Sequence, residues 1–225
     1  MKATGAGPWA PLLVLLLAAL PLGAQSFSEK LGLAFRGSVF FFPEDNGLES
    51  DPMPVLPSLG IAAGWPVLDF MRIELSLDFY GSYYAYSDTL DRAVPAIPDN
   101  RSSFVTGSVL GVQALKTLAL GNTLRIRVYG GPAADLRICL AAGGLEGADA
   151  EDAAAETRDI SAYFWGQGRW FVPVAGAGMD FSLTEKLLLG FDLRAWFPVW
   201  RLWTGDSLPA VEGWRFAAGL RFSIL

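Results

Sequence analysis

Apolar and polar positions alternate with period two along most of this chain, and the clearest case is its end. In Trp214 to Leu225, W-R-F-A-A-G-L-R-F-S-I-L, the even positions Trp214, Phe216, Ala218, Leu220, Phe222 and Ile224 are apolar. The odd positions Arg215, Ala217, Gly219, Arg221 and Ser223 are small or charged. Side chains of a strand point to opposite faces in turn, so this spacing predicts a strand with one greasy face and one cramped polar face.

The same pattern recurs towards the N-terminus. Leu31 to Phe42 sets Leu33, Phe35, Val39 and Phe41 against Gly32, Ala34, Arg36 and Ser38. Ser58 to Trp65 sets Leu59, Ile61, Ala63 and Trp65 against Ser58, Gly60, Ala62 and Gly64. From Met71 the alternation runs to about Tyr86, past the ~9–11 residues that cross a bilayer, with Met71, Ile73, Leu75, Leu77 and Phe79 opposite Arg72, Glu74, Ser76, Asp78 and Tyr80. Tyr80, Tyr83, Tyr84 and Tyr86 crowd its end, as an interfacial aromatic girdle would. Ser103 to Leu118 reads as a fourth strand whose faces the sequence does not assign. Leu124 to Leu140 opposes Leu124, Ile126, Val128, Leu136 and Ile138 to Arg125, Arg127, Tyr129, Asp135 and Arg137. A sixth strand is expected within Tyr163 to Ser182. The seventh, Leu187 to Val199, has Asp192, Arg194 and Trp196 on its polar face.

Between these strands the connections alternate in length. Long ones follow the first, third, fifth and seventh strands, and short turns follow the second, fourth and sixth. The longest, Ala141 to Asp159, is rich in Ala, Gly and acids and is expected to be a long solvated loop with at most a helical turn near Ala153. An even strand count with long loops at one end and tight turns at the other predicts an all-β fold: an eight-stranded antiparallel up-and-down transmembrane β-barrel.

Composition supports that assignment. Hydrophobic residues make up 52% and charged residues 18%, with no long apolar helix apparent. The start of the chain, with Lys2, the apolar run Pro11 to Leu20 and Leu22-Gly23-Ala24, has the layout of a signal peptide. Residues 1–24 are therefore expected to be a leader and 25–225 the barrel domain. The formal charge is −6, which argues against nucleic acid as a partner. The one cysteine, Cys139, excludes an internal disulfide and reads as a small buried residue.

A lipocalin-like soluble barrel has the same period with its faces reversed, and the character of the polar face separates the two. A water-facing side would carry many Lys, Glu and Thr. Here it carries Ser, Gly and Ala, which suit the crowded interior of a narrow barrel. The closing strand resembles the barrel-assembly signal of outer-membrane proteins, with Gly219, Phe222 and Ile224 at the signal's spacing, Ala218 in place of its polar residue and Leu225 as an extra residue. The segments R-I-R-V-Y-G-G-P-A-A-D-L and V-A-G-A-G-M-D-F-S-L-T-E-K-L-L-L-G-F-D-L-R are similar to paired strands of OmpW-like proteins and of the OmpA-type transmembrane domain. That resemblance implies the outer membrane of a diderm bacterium, with outer-membrane lipid and the barrel-assembly machinery as partners and small solutes or extracellular ligands at the loops. It implies no cofactor.

Eleven charged residues are expected to face the lumen: Arg72, Glu74, Asp78, Arg125, Arg127, Asp135, Arg137, Asp192, Arg194, Arg215 and Arg221. They read either as a polar path rich in arginine or as a salt-bridge plug; the narrow interior favours the plug. Enzymes of this architecture rely on histidine, and the chain has none, so no catalytic residue is assigned. Glu74 and Asp78 stand roughly 13 Å apart along one strand, beyond the ~5–9.5 Å of hydrolytic carboxylate pairs. No metal-loop spacing is present. The resemblance leads to a small OmpW-like diffusion or transport barrel; the alternative is a non-conducting structural or surface-interaction barrel of OmpA type.

Overall fold

The computed structural model describes residues 31–43, 55–68, 70–97, 103–121, 123–141, 148–204 and 213–224. The expected leader lies outside them. The alternating segments form strands β1 (Gly32–Phe41), β2 (Val55–Leu68), β3 (Met71–Ser87), β4 (Arg92–Pro95), β5 (Ser103–Leu120), β6 (Leu124–Gly131), β7 (Ala133–Leu140), β8 (Val174–Ser182), β9 (Leu187–Trp196) and β10 (Arg215–Ile224). Two helices join them, α1 (Ala148–Trp165) and the single turn α2 (Arg201–Thr204).

Hydrogen-bonded pairing runs β3-β2-β1-β10-β9-β8-β6-β5 and returns to β3, so the sheet is closed. β6 and β7 are one strand interrupted at Pro132, and β4 is a short ribbon on β3. Eight antiparallel strands therefore form the wall. The seam joins the two ends of the chain in register, from Leu33 opposite Ile224 to Phe41 opposite Phe216. Pro132 has no N–H to donate, but its carbonyl accepts from Val112 N at 3.0 Å, so β5 stays paired across the break. Above it β7 is bordered by residues 170–172: Asp135 N donates to Trp170 O at 2.7 Å and Val172 N to Ala133 O at 2.9 Å.

Burial alternates as the polarity does. In β1, Ala34, Arg36, Ser38 and Phe40 are buried while Leu33, Phe35 and Val39 are exposed. The faces of β5, which the sequence left open, are settled by the same rule. Val105, Val109, Gln113 and Leu115 point inward and Phe104, Leu110, Val112 and Leu118 outward. Large apolar side chains are thus exposed around the whole wall, among them Leu59 at 72%, Phe35 at 54%, Leu193 at 50% and Leu220 at 61%. No helix among the described residues is long and apolar enough to cross a membrane; the apolar surface belongs to the strands.

Two local expectations are corrected. Tyr80 and Tyr84 do not form an outer girdle, because even positions of β3 face inward and both are buried. Tyr83 does face outward, edge-on to Phe104 at 5.2 Å. It belongs with Phe41, Trp214 and Phe216 among the outward aromatics near the loop-side end, Trp214 stacking on Phe216 at 6.0 Å. The acidic segment is not a solvated loop over its whole length, since Ala148 to Trp165 is one α-helix. Its buried stripe is Ala153, Ile160 and Phe164, with part-buried Thr157 between, spaced as one helix face requires. Tyr163 belongs to α1, and the sixth strand of the wall is β8, Val174–Ser182, inside the expected span.

Inward glycines are placed by what faces them. Gly60 pairs with Asp78, Gly190 with Asp180, Gly107 with Tyr80 through the β3–β5 ladder, and Gly176 lies opposite Tyr129. In each case the partner's side chain lies where a Cβ on the glycine would stand. Gly60→Ala and Gly190→Ala should each destabilise the barrel by about 1–3 kcal/mol, because Asp78 and Asp180 are ion-paired and cannot swing away. Urea unfolding followed by folded-versus-boiled gel mobility measures this, with outward Gly37→Ala, which has open space, as the neutral control.

Candidate functional site

The inward face of the strands concentrates charge, and folding joins those charges in a specific order. Arg127 Nε meets Asp180 Oδ2 at 2.5 Å and its Nη1 meets Asp192 Oδ1 at 3.3 Å. Asp192 Oδ2 lies 3.3 Å from Arg194 Nε, and Arg194 Nη1 donates to Asp78 Oδ2 at 2.7 Å. Arg36 Nη2 donates to the same Asp78 oxygen at 3.0 Å, and Arg36 Nη1 stands 3.9 Å from Glu74 Oε1. Arg221 closes the series with both terminal nitrogens on Glu74, Nη1 to Oε1 at 2.9 Å. The result is an unbroken alternating chain: Asp180, Arg127, Asp192, Arg194, Asp78, Arg36, Glu74, Arg221.

Four carboxylates balance four guanidiniums, and every member is buried, none more than 7% exposed. A lone charge in such a place would cost several kcal/mol, so alternation is the condition for burying any of them. Neutral donors and acceptors fill in. Tyr129 OH donates to Asp192 Oδ1 at 2.7 Å, Arg194 Nη2 to Ser38 Oγ at 2.7 Å, and Gln113 Nε2 to Ser76 Oγ at 3.0 Å.

Towards the loops an aromatic layer follows. Phe40, Phe42, Tyr80 and Trp196 pack with ring centroids 5.0–6.0 Å apart, and all four are buried. Arg194 lies 5.1 Å from the Trp196 ring, so the charged and aromatic layers are in direct contact. Beyond the rings is a second ionic group. Asp135 accepts from Arg137 Nε at 2.7 Å, from Arg215 and from Tyr80 OH at 2.8 Å.

Helix α1 closes the loop-side end. Phe164 meets Tyr84 edge-on at 5.0 Å and takes the Arg137 guanidinium 3.9 Å from its ring centroid. Ser103 and Thr157 share a 2.6 Å hydrogen bond, Tyr86 N donates to Glu156 Oε1 at 2.8 Å, and Trp165 Nε1 donates to Arg137 O at 3.2 Å. Ile160 is fully buried. Burial of Ile160 and Phe164 contributes roughly 1.5–3 kcal/mol each, enough to hold the helix down.

The residues anticipated from sequence divide among these layers. Glu74, Asp78, Arg127, Asp192, Arg194 and Arg221 join the alternating chain, while Asp135, Arg137 and Arg215 form the loop-side group. Arg72 and Arg125 join neither and border a cavity at the turn-side end. Arg36 and Asp180 were missed, although both obey the parity of their strands: Arg36 shares its face with Ser38, and Asp180 with Gly176 and Gly178. Gly219 sits on the seam, where a Cβ would meet Ser38 and the Gly37 carbonyl, so close strand approach requires a glycine there. Phe222 and Ile224 are outward and exposed.

No family model and no curated protein matches this sequence. Among solved structures the chain is similar to OprG, an outer membrane protein from Pseudomonas aeruginosa, with a TM-score of 0.49 at 10% identity, covering 87% of this chain and 96% of that one. It is also similar to Neisserial surface protein A (TM-score 0.47, 10% identity, 86% and 94% covered). A third similar structure is Ail, the attachment invasion locus protein of Yersinia pestis (0.42, 5%, 87% and 95%). The eight-stranded closed barrel stands on the strand register itself.

Removing one partner from the alternating chain should cost far more than removing a pair. Glu74→Gln strands Arg221 and should destabilise by about 3–5 kcal/mol; adding Arg221→Gln to it should return a large part of that loss. Urea midpoints of the two single variants and the double variant give the coupling.

Proposed function

We propose that this chain is an outer-membrane β-barrel protein whose lumen does not conduct, serving as a structural barrel that presents its loop-side surface to partners. One observation carries the reading: above the turn-side cavity the interior is blocked by successive layers, the alternating ion chain, the aromatic layer, the Asp135 group and the helix at the loop-side end. A diffusion barrel of OmpW type needs a continuous polar or apolar path, and here each layer closes on itself. Support for the membrane comes from the exposed apolar side chains around the wall, which would be an aggregation liability in water and are at home in hydrocarbon. β1, β9 and β10 have 10 residues each, the length that crosses a bilayer with tilt. β3 and β5, with 17 and 18, continue beyond it to carry β4 and α1.

In this reading lipid is the partner of the outer face, and the assembly machinery reads the closing strand at Gly219, Phe222 and Ile224. The contact surface is the exposed face of α1, with Glu151, Asp152, Arg158 and Asp159, whose net acidic charge favours a polar protein partner over an anionic polymer. No reaction is assigned to it, because every inward carboxylate among the described residues is held by arginine.

Refolded protein in planar bilayers should give no discrete channels, and should stay silent after removal of α1, since the aromatic layer lies below it. Reproducible single-channel events from the full chain would overturn the closed-lumen reading. Folded-versus-boiled mobility and recovery in the outer-membrane fraction test the membrane assignment separately.

A further inference from the structure

Outward aromatics mark the loop-side end of the wall at Phe41, Phe216 and Trp214. On β8 and β9 the outward positions there are Ala175 and Ala195, which pair with each other. The segments that lead into β8 and out of β9 supply the rings instead. Residues 165–172 leave α1 at Trp165 and turn through Gln167 and Gly168, whose φ values of 52° and 76° are left-handed. Residues 197–204 carry α2. Both are fastened to the wall: Trp165 Nε1 donates to Arg137 O, Asp135 N to Trp170 O, and Phe197 lies edge-on to Trp214 at 4.8 Å. They are also fastened to each other. Trp203 Nε1 donates to Gln167 O at 2.9 Å, and its ring lies where a Cβ on Gly168 would meet it. The Arg169 guanidinium stands 4.0 Å from the Tyr163 ring centroid and 4.9 Å from that of Trp200. Yet Trp165, Trp170, Leu202 and Trp203 are all exposed.

We propose that these two segments form one aromatic ledge bedded in the lipid headgroup layer of the loop-side leaflet, completing the girdle over β8 and β9. The inference rests on the membrane reading above, not on the closed lumen. Tryptophan suits that depth, and hydrogen bonds to the protein hold the Trp165 and Trp203 rings in place. So many large apolar groups held open mark a contact surface, and two observations select lipid as the contact. First, the ledge continues the lipid-facing wall: Phe171 bridges outward Ala134, and exposed Leu136 and Ile138 flank the Arg137 carbonyl that holds Trp165. Second, its charge suits headgroup phosphates, which take a guanidinium in pairs. Residues 165–172 and 197–204 contain arginine and no Asp or Glu. The polar bonds of Arg169 go to Tyr163 O and Gln167 Oε1, neither a carboxylate. A second copy docked through the same face would set Arg169 against Arg169 about a two-fold axis.

Depth-resolved fluorescence quenching tests the ledge. The full chain, with Cys139→Ser and a small fluorophore on Leu202→Cys, is refolded into vesicles of phosphatidylcholine and phosphatidylglycerol. Their chains carry bromine either near the headgroup or near the methyl end. The label at 202 should lose intensity chiefly to the shallow bromines. A label on Leu193→Cys, from the exposed wall of β9, should lose it chiefly to the deep ones. A label on Glu151→Cys, on the exposed face of α1, should lose it to neither. Trp170→Cys is the second ledge variant if Leu202→Cys lacks folded gel mobility. Labels at 202 and 170 that keep their intensity while the label at 193 is quenched overturn the ledge. Energy transfer between copies labelled at 202 would then give the face to a second copy. Equal shallow quenching at 151 overturns it too, since the whole cap would lie among headgroups. A label at 193 that also keeps its intensity sinks the membrane reading itself, so the two failures are distinct.

Discussion

A charge placed inside an eight-stranded barrel has little water to turn to, since the interior is only wide enough for side chains. That constraint governs most of what the lumen contains. Buried guanidiniums and carboxylates must alternate, and the chain from Asp180 to Arg221 does so without a gap. Room for such large side chains must come from the opposite strand, and it comes from glycines placed rung by rung across from them. Polarity, volume and register are therefore one requirement seen three ways. A slip of one residue in any strand would put arginine against the apolar surroundings and phenylalanine among the ions.

The layers divide the labour. The ion chain binds six of the eight strands to one another, because its members come from β1, β3, β6, β8, β9 and β10. The aromatic layer separates that set from the Asp135 group, in which Asp135 accepts from Arg137 and Arg215 and the Arg137 guanidinium lies against the Phe164 ring. This is where α1 docks. A cation held against an aromatic face on the helix gives the loop-side closure a polar fastening as well as an apolar one.

Strand number and the faces of the strands other than Ser103–Leu120 were legible in the sequence because both rest on period two, which survives any tertiary context that buries one face. Parity also singled out six of the eight members of the ion chain, but not Arg36 and Asp180. What escaped were features that depend on neighbours. Tyr80 and Tyr84 looked interfacial as part of an aromatic cluster, yet their even numbers place them inside with Asp78. The helix escaped because its acidic and alanine-rich composition matches a solvated segment, while its A-x-x-x-T-x-x-I-x-x-x-F stripe is visible only if a helical period is tried there. Which arginine meets which carboxylate cannot be read from parity, since it is set by the stagger of strands around the ring.

The seam carries a consequence for how the barrel is put together. Arg36 and Arg221 lie directly opposite each other on the seam, where β1 meets β10. Two like charges on one rung oppose the union of the chain's ends. Glu74 reaches both from β3, and it can do so only when the intervening strands already curve the sheet round to bring it between them. Closure is thus conditional: an incomplete or mis-threaded sheet meets repulsion at its own edges, and a finished one meets a lock.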